Sequence, residues 1–260
     1  MDMLVRSLLF LVIDTYVILL FVRMFATSSE RYDSVLGLVF RATDGVLTPL
    51  TAQVGRRYAP WVPLLLIFAL LIVKGLILRS IPAALQGFID TLLQLYVLII
   101  IIIAAVREFY VNPIANFGQR IVHPVRTMVT TVSQHRPTVN LLAVVGLVVV
   151  HVIATLLLSA LFGSGGAVSV KQALVHSLGL ILNLTQFFFW VIFINALLSW
   201  VSPDPLNPVV QLMALLSAPV VDPIRRITPP LGGALDFSPM IALFLLMIVN
   251  RLGHDLLRSL

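Results

Sequence analysis

Apolar runs divide the chain into six stretches, each long enough to cross a lipid bilayer as a helix. A crossing takes roughly 20 apolar residues. The stretches are residues 4–25, 61–78, 85–106, 139–161, 178–201 and 237–252. Arg251 falls near the end of the last and shortest one, so we expect its side chain to reach the lipid headgroups. The pattern predicts an all-α membrane protein with six transmembrane helices.

The segments between these stretches alternate in length. Long loops follow the first, third and fifth stretches, whereas short loops with few charges follow the second and fourth. A regular alternation of this kind is typical of an internal repeat. It predicts three units, each a helix, a surface segment and a second helix, at residues 1–80, 85–162 and 178–260.

Polar and apolar positions alternate with helical spacing inside the long loops. The second loop has a polar stripe formed by Asn112, Asn116, Gln119, His123, Arg126 and Thr130, and an apolar stripe formed by Ile114, Phe117, Ile121, Val125, Met128 and Val132. The first loop is similar, and the third is less clear. We expect helices lying in the membrane interface with their apolar side in lipid. The alternative is a helix whose apolar side packs on the transmembrane bundle.

A proline recurs in each long loop within one local pattern of two aliphatic residues, a polar residue, proline and an aliphatic residue. The three prolines are Pro49, Pro124 and Pro223. Proline inside a helix removes one hydrogen bond and causes a kink, so we expect each surface helix to end or bend there. Asn-Pro at residues 112–113 and 207–208 predicts the starts of two surface helices.

Composition excludes most soluble classes. Of the 260 residues, 60% are hydrophobic and 11% are charged, against about 25% charged in a soluble domain. The net charge of +6 lies beside the apolar stretches, which indicates anionic lipid headgroups as partners rather than nucleic acid. The chain has no cysteine, so disulfides and thiolate metal sites are excluded.

The distribution of basic residues predicts an orientation. Eleven of the seventeen Lys and Arg residues lie in the long loops, and six lie on the opposite side. Because basic residues concentrate in cytoplasmic loops, we expect the long loops in the cytoplasm and both termini outside a bacterial inner membrane.

The densest set of polar residues lies at 222–239, with the sequence DPIRRITPPLGGALDFSP. Arg225 and Arg226 are placed to pair with lipid phosphates, or with Asp222 and Asp236. In the first case the segment is a contact site for lipid or a partner, together with the basic residues of the second loop, His123 and Arg126. In the second case it is a well-formed turn with an ion-paired helix cap.

These motifs, preceded by Ser199-Trp200 and Asn207-Pro208, resemble those of the YggT family of small bacterial and plastid membrane proteins. The resemblance covers roughly residues 190–252. Residues 16–78 resemble a degenerate copy without the Arg-Arg-Ile, Pro-Pro and Asp-x-Ser-Pro elements. Asn195 stands where the family has an arginine.

The resemblance implies a modest functional expectation. Members of the family are associated with the maturation of cytochrome complexes, with membrane organisation at division and with tolerance of osmotic stress. No catalytic residue can be carried over from the family. We therefore expect a non-enzymatic scaffold or assembly factor, without a cofactor or a metal. Its expected partners are lipids and an unidentified protein, and a homo-oligomer is also open.

Polar residues within the spans support a second hypothesis. Asp14 lies near the middle of the first span, and His151 and Asn195 lie within the fourth and fifth. A charge at the centre of a membrane helix costs about 2.5–3.5 kcal/mol on insertion scales, so Asp14 needs a partner. We expect that partner among His151, Asn183, Gln186, Asn195 and Asn250. Such groups either hold the bundle together or line the path of an ion or small-solute transporter.

Overall fold

The structure is a computed structural model that describes residues 3–33, 35–55, 57–105, 113–130, 135–163, 168–201, 204, 207–228 and 236–260. These residues form α-helices, two short 3₁₀ helices at Ser28–Tyr32 and Ala59–Trp61, and no strand. The α-helices are α1 (Met3–Phe25), α2 (Leu36–Val54), α3 (Val62–Leu78), α4 (Ile81–Ala105), α5 (Pro113–Thr130), α6 (Arg136–Phe162), α7 (Val170–Leu182), α8 (Leu184–Val201), α9 (Pro208–Ile227) and α10 (Ser238–Ser259).

Six helical segments are long and apolar enough to cross a membrane, which confirms the predicted spans. They are Leu4–Phe25, Ala59–Leu78, Ile81–Ala104, Pro137–Phe162, Val170–Ser199 and Ser238–Ser259. The last helix is longer than predicted, since it continues to Ser259, eight residues beyond Arg251.

The first compact unit comprises Met1–Thr91. In it, α1 packs against α3 and against the surface helix α2. Aliphatic residues spaced by three or four positions on α1 form its core with residues of the other two helices. These core residues are Ile13, Val17, Leu20, Leu47, Val62, Ile67 and Leu71. The spacing places them on one side of each helix, which is why the helices associate there.

The second compact unit comprises Leu92–Leu260 and begins inside α4. The surface helix α5 packs against α6, and the surface helix α9 packs against α8 and α10. One cluster joins α4, α5 and α6 through Ile100, Ile103, Val122 and Ala143. Another joins α8, α9 and α10 through Ile192, Val221 and Ala242. Both surface helices are therefore held by the spans of their own unit.

The apolar sides of the surface helices pack on protein, so the expectation that they face lipid is wrong. Phe40 on α2 is 2% exposed, and Ile121 and Val122 on α5 are 1% and 0% exposed. Met128, assigned to the apolar stripe of α5, is 78% exposed instead. Helical periodicity identifies an apolar side but does not distinguish lipid from neighbouring protein as its environment.

The three recurrent prolines lie within their helices instead of ending them. α2, α5 and α9 each continue past the proline for about one further turn, so that part of the prediction is wrong. Proline removes only its own N–H donor, and the following residues still complete their bonds. The predicted helix starts at Pro113 and Pro208 are confirmed. Asn112 and the Pro-Pro-Leu-Gly-Gly sequence lie outside the described residues.

A tight turn joins the second and third spans, as the short loop predicts. Arg79 ends α3 with a φ of 56°, and the N–H of Ser80 donates to the carbonyl of Gly75 at 2.9 Å. A Cβ atom on Gly75 would lie 2.8 Å from the Cα atom of Ile81. The lack of a side chain on Gly75 thus allows α4 to begin immediately beside the end of α3.

Candidate functional site

The C-terminal polar motif forms an ion-paired junction between α9 and α10. The Nε atom of Arg225 donates to Asp236 Oδ2 at 2.9 Å, and its Nη1 atom lies 3.4 Å from Asp222 Oδ1. The side chain of Arg225 is 48% exposed, so solvent screens both pairs and each contributes at most about 1 kcal/mol. Of the two alternatives given for Arg225 and Arg226, the structure shows the pairing with the carboxylates for Arg225.

Asp236 also caps the last span. Its Oδ1 atom accepts the backbone N–H of Ser238 at 2.9 Å, at the start of α10. Hydrogen bonding from the Ser238 side chain, followed by that from the Ser238 backbone and from Arg225, holds the pKa of Asp236 below its usual value, although partial burial opposes this effect. The carboxylate therefore stays ionised where the chain enters the membrane-spanning helix.

The remaining predicted contact residues lie on the outward sides of the surface helices. Arg226 is exposed and forms no ion pair within the part of the chain that the structure describes. His123 is exposed and Arg126 is half-buried on α5, a separate helix of the same unit. Of Arg225 and Arg226, the second is thus the one whose charge is available to a ligand.

Asp14 forms an ion pair with Lys74, so the expected partners were wrong. The Nζ atom of Lys74 lies 2.5 Å from Asp14 Oδ1 and joins α1 to α3 within the first unit. The sequence places Lys74 near the end of its span, but its flexible side chain extends along the helix to the depth of Asp14. Lys74 is buried, whereas the Asp14 side chain is 42% exposed.

The second unit has a neutral polar contact at a similar point. The Nδ2 atom of Asn250 on α10 donates to Thr185 Oγ1 on α8 at 2.7 Å. Asn250 follows Pro239 by eleven residues, and Lys74 follows Pro63 by the same number. In each unit, a polar residue three turns into a span (α3 or α10) therefore binds a polar residue of an earlier span (α1 or α8).

A second pair of contacts links the end of a span to its surface helix. In the first unit, an Nη2 atom of Arg23 lies 3.9 Å from Asp44 Oδ1, and its guanidinium lies over the ring of Phe40 at 3.9 Å. In the second unit, the Nδ2 atom of Asn195 donates to Ser217 Oγ at 3.1 Å. Asn195, which is half-buried, thus links α8 to α9.

His151 is buried in a hydrogen-bonded chain with Ser177. The hydroxyl of Ser177 donates to the carbonyl of Ala173 at 2.7 Å and lies 2.8 Å from Nδ1 of His151. The direction of the second bond depends on the tautomer of His151. The contact is typical of an interhelical hydrogen bond.

The approach of His176 to His151 is a feature that the sequence did not reveal. Their rings stack with centroids 5.8 Å apart, although 25 positions separate the residues. The pair forms because α6 packs against α7. No local spacing rule predicts it, since the two histidines lie on different helices joined by a loop.

Comparison with known proteins gives a consistent result. A family model described as CCB3/YggT matches residues 174–257. An uncharacterized protein of Haemophilus influenzae is 33% identical over 177 residues, which cover 66% of this chain and 93% of that protein. An uncharacterized protein of Pseudomonas aeruginosa is 30% identical over 168 residues, covering 63% and 85%. The uncharacterized protein YggT of Escherichia coli is 27% identical over 178 residues, covering 66% and 89%. No solved structure matches the chain.

Proposed function

Because this chain belongs to the YggT family, we propose that it is a non-enzymatic scaffold or assembly factor of the bacterial inner membrane. It binds anionic lipid headgroups and a partner protein through its surface helices. A role in tolerance of osmotic stress is part of the proposal, by analogy with the family. The long loops lie in the cytoplasm and both termini lie outside, in agreement with the distribution of basic residues.

The observation that carries this proposal is the two-sided character of α9. Val221 is 3% exposed and packs against the spans, whereas Arg226, five positions later and so on the other side of the helix, is exposed. A helix fixed by its apolar side presents its basic side in a constant orientation. Arginine in that position binds phosphate oxygens by charge-assisted hydrogen bonds. α9 therefore offers a preformed contact surface at the membrane boundary.

The architecture that we propose has three repeats of helix, surface helix and helix. Two features support it: the surface helices α2, α5 and α9 each contain one of the recurrent prolines, and polar contacts recur in the first and last repeats at Lys74 and Asn250. In this arrangement the first and last repeats have the same order of helices, but the polar contacts between their helices differ in charge. The two repeats are therefore suited to different ligands.

Site-specific photocrosslinking in native membranes tests the partner-binding role. A photoreactive residue at Gln211, exposed on α9, should give a discrete protein adduct, whereas one at Met247, exposed on a span, should give only lipid adducts. Adding Arg226→Glu should weaken the Gln211 adduct, because the substitution reverses the charge of the same surface. An identical set of adducts from both positions would refute the proposed role of α9.

A transporter remains the competing hypothesis, and Asp14 was its principal feature. Its ion pair with Lys74 supports a structural role for this carboxylate. Measurement of ion flux through liposomes separates the two functions. A robust flux that is lost in Asp14→Asn would overturn the scaffold proposal, whereas a scaffold gives no flux above that of protein-free liposomes.

A further inference from the structure

A small pocket lies in the first unit, where α1 ends, α2 passes and the span beginning at Ala59 starts. Its volume is about 240 Å³, and Arg23, Asp44, Thr48 and Thr51 form its polar wall. Drug-sized ligands occupy pockets of about 300–1,000 Å³. The pocket is thus of a size for a headgroup or a small anion rather than for a complete lipid.

The charges around this pocket leave Arg23 incompletely paired. Asp44 binds the guanidinium of Arg31 closely, while the nearest nitrogen of Arg23 is 3.9 Å from Asp44. Charge-assisted hydrogen bonds are shorter, at about 2.7–2.9 Å. The Nε atom of Arg23 is buried and has no hydrogen-bond partner among the residues that the structure describes. The three side chains together carry one uncompensated positive charge.

The pocket lies at the level of the membrane surface. Arg23 is two residues from the end of α1, and Pro60 and Pro63 of the pocket wall lie at the start of the second span. Beside them, Tyr58 and Trp61 are 55% and 59% exposed. Exposed tyrosine and tryptophan at the ends of spans are typical of the headgroup layer. Lipid phosphates are concentrated at that depth.

We propose that this pocket binds the phosphate group of an anionic lipid headgroup. Arg23 supplies the positive charge, through a side chain that lines the pocket and is 25% exposed. The hydroxyl of Thr51 donates to the carbonyl of Thr48, so Thr48, which is exposed, supplies the hydroxyl donor at the pocket wall. This inference depends on the proposed function only for the membrane orientation, since the proposed function assigns lipid binding to α9 and not to this junction.

The second unit provides an internal comparison. Its corresponding junction has the neutral hydrogen bond between Asn195 and Ser217. The first unit therefore has an arginine where the second has an amide. Arg23→Asn introduces the side chain that the other junction already accommodates, which makes it a conservative test of the charge.

Native mass spectrometry of the full chain in a non-ionic detergent tests the proposal. The probes are phosphatidylglycerol, phosphatidylcholine and inorganic phosphate. Arg23→Asn should weaken retention of phosphatidylglycerol by about tenfold, as expected for the loss of a hydrogen bond to a charged group. Thr48→Val should weaken it by about threefold without altering any ion pair. Arg41→Gln, which removes an exposed charge of α2 outside the pocket, should stay within about twofold of the wild type.

The results have distinct meanings. Equal phosphatidylglycerol retention in the wild type, Arg23→Asn and Thr48→Val overturns the inference. Binding of inorganic phosphate that depends on Arg23, without selective lipid retention, also overturns it by assigning the pocket to a soluble anion. If only Arg226→Gln weakens phosphatidylglycerol retention, the proposed role of α9 is supported and the pocket is refuted. If only Arg23→Asn weakens it, the pocket is supported and lipid binding by α9 is refuted.

Discussion

The ion pair between Asp14 and Lys74 allows a quantitative prediction about stability. Asp14→Asn leaves the ammonium of Lys74 within a span without a counter-charge, and Lys74→Met leaves the carboxylate of Asp14 unpaired. Lys74 is 8% exposed, whereas the Asp14 side chain is 42% exposed. The two single substitutions should differ. The larger loss of stability is expected when the carboxylate is left behind, because Asp14 lies near the middle of its span, whereas Lys74 lies near the end of α3 and can extend toward the headgroups.

Two estimates define the magnitude. A charge at the centre of a membrane helix costs about 2.5–3.5 kcal/mol, and removing one member of a buried ion pair costs about 3–5 kcal/mol. Lys74 lies near the end of α3 and can extend toward the headgroups, so we expect about 2–3 kcal/mol for Asp14→Asn. Lys74→Met should cost about 2.5–3.5 kcal/mol, because the remaining carboxylate lies near the middle of a span, where exposure at the helix surface brings no water. Replacing both by apolar residues should be nearly neutral.

Thermal unfolding in one detergent measures these differences. For a chain of this size, 1 kcal/mol corresponds to roughly 2–4 °C in the melting temperature. Asp14→Asn should therefore lower the melting temperature by about 4–12 °C, and Asp14→Leu with Lys74→Met should return it to near the wild-type value. If the double variant loses the sum of the two single losses, the charges act independently and the reasoning is refuted.

Three further predictions concern single contacts. Because the folded state lowers the pKa of Asp236, its stabilising effect is present above the ordinary carboxyl pKa and is lost as pH falls through the lowered value. Asp236→Asn should therefore lower the free energy of unfolding at neutral pH by less than about 1 kcal/mol, seen as a lower melting temperature. In strong acid the same substitution should have no effect. Gly75→Ala should destabilise the turn after α3, whereas Gly45→Ala, with open space around its Cβ position, should stabilise α2 by about 0.5–1 kcal/mol, both measured by thermal unfolding. Ser177→Ala should cost about 0.6–1.7 kcal/mol in the same assay, because it removes the hydroxyl that is hydrogen-bonded to His151.

Hydropathy predicted the number of spans because a membrane helix must be long and almost entirely apolar. It failed at the start of the fifth span and at the end of the sixth, where polar residues interrupt the apolar run without ending the helix. Lys171 lies within α7, and Arg251 lies within α10. Backbone hydrogen bonding continues through or closely around such residues, so a fall in hydropathy is a poor marker of a helix end.

The candidate sites were predicted only where the interacting residues are close in sequence. Arg225 and Asp236 are eleven positions apart, so their charges suggested the pair. Asp14 and Lys74 are sixty positions apart and meet only because α1 and α3 pack side by side. Sequence identified Asp14 as a residue that needs a partner. The choice of partner depends on side-chain reach and helix register, which one sequence does not specify.

The contacts at Lys74 and Asn250 allow a direct test of the proposed repeats. If the helices of the two units are arranged in the same way around these contacts, the second unit should accommodate a charged pair like the one in the first. Asn250→Lys alone should destabilise the chain, because it places an unpaired charge in a span, and Thr185→Asp should restore stability by supplying the counter-charge at the position that now binds Asn250. Phe189→Asp, one turn further along α8, is the matched control and should not restore it. The measurement is the melting temperature of monodisperse protein. Equal rescue by both acids would show that the pair geometry is not reproduced in the second unit, and failure of Thr185→Asp would contradict the shared plan.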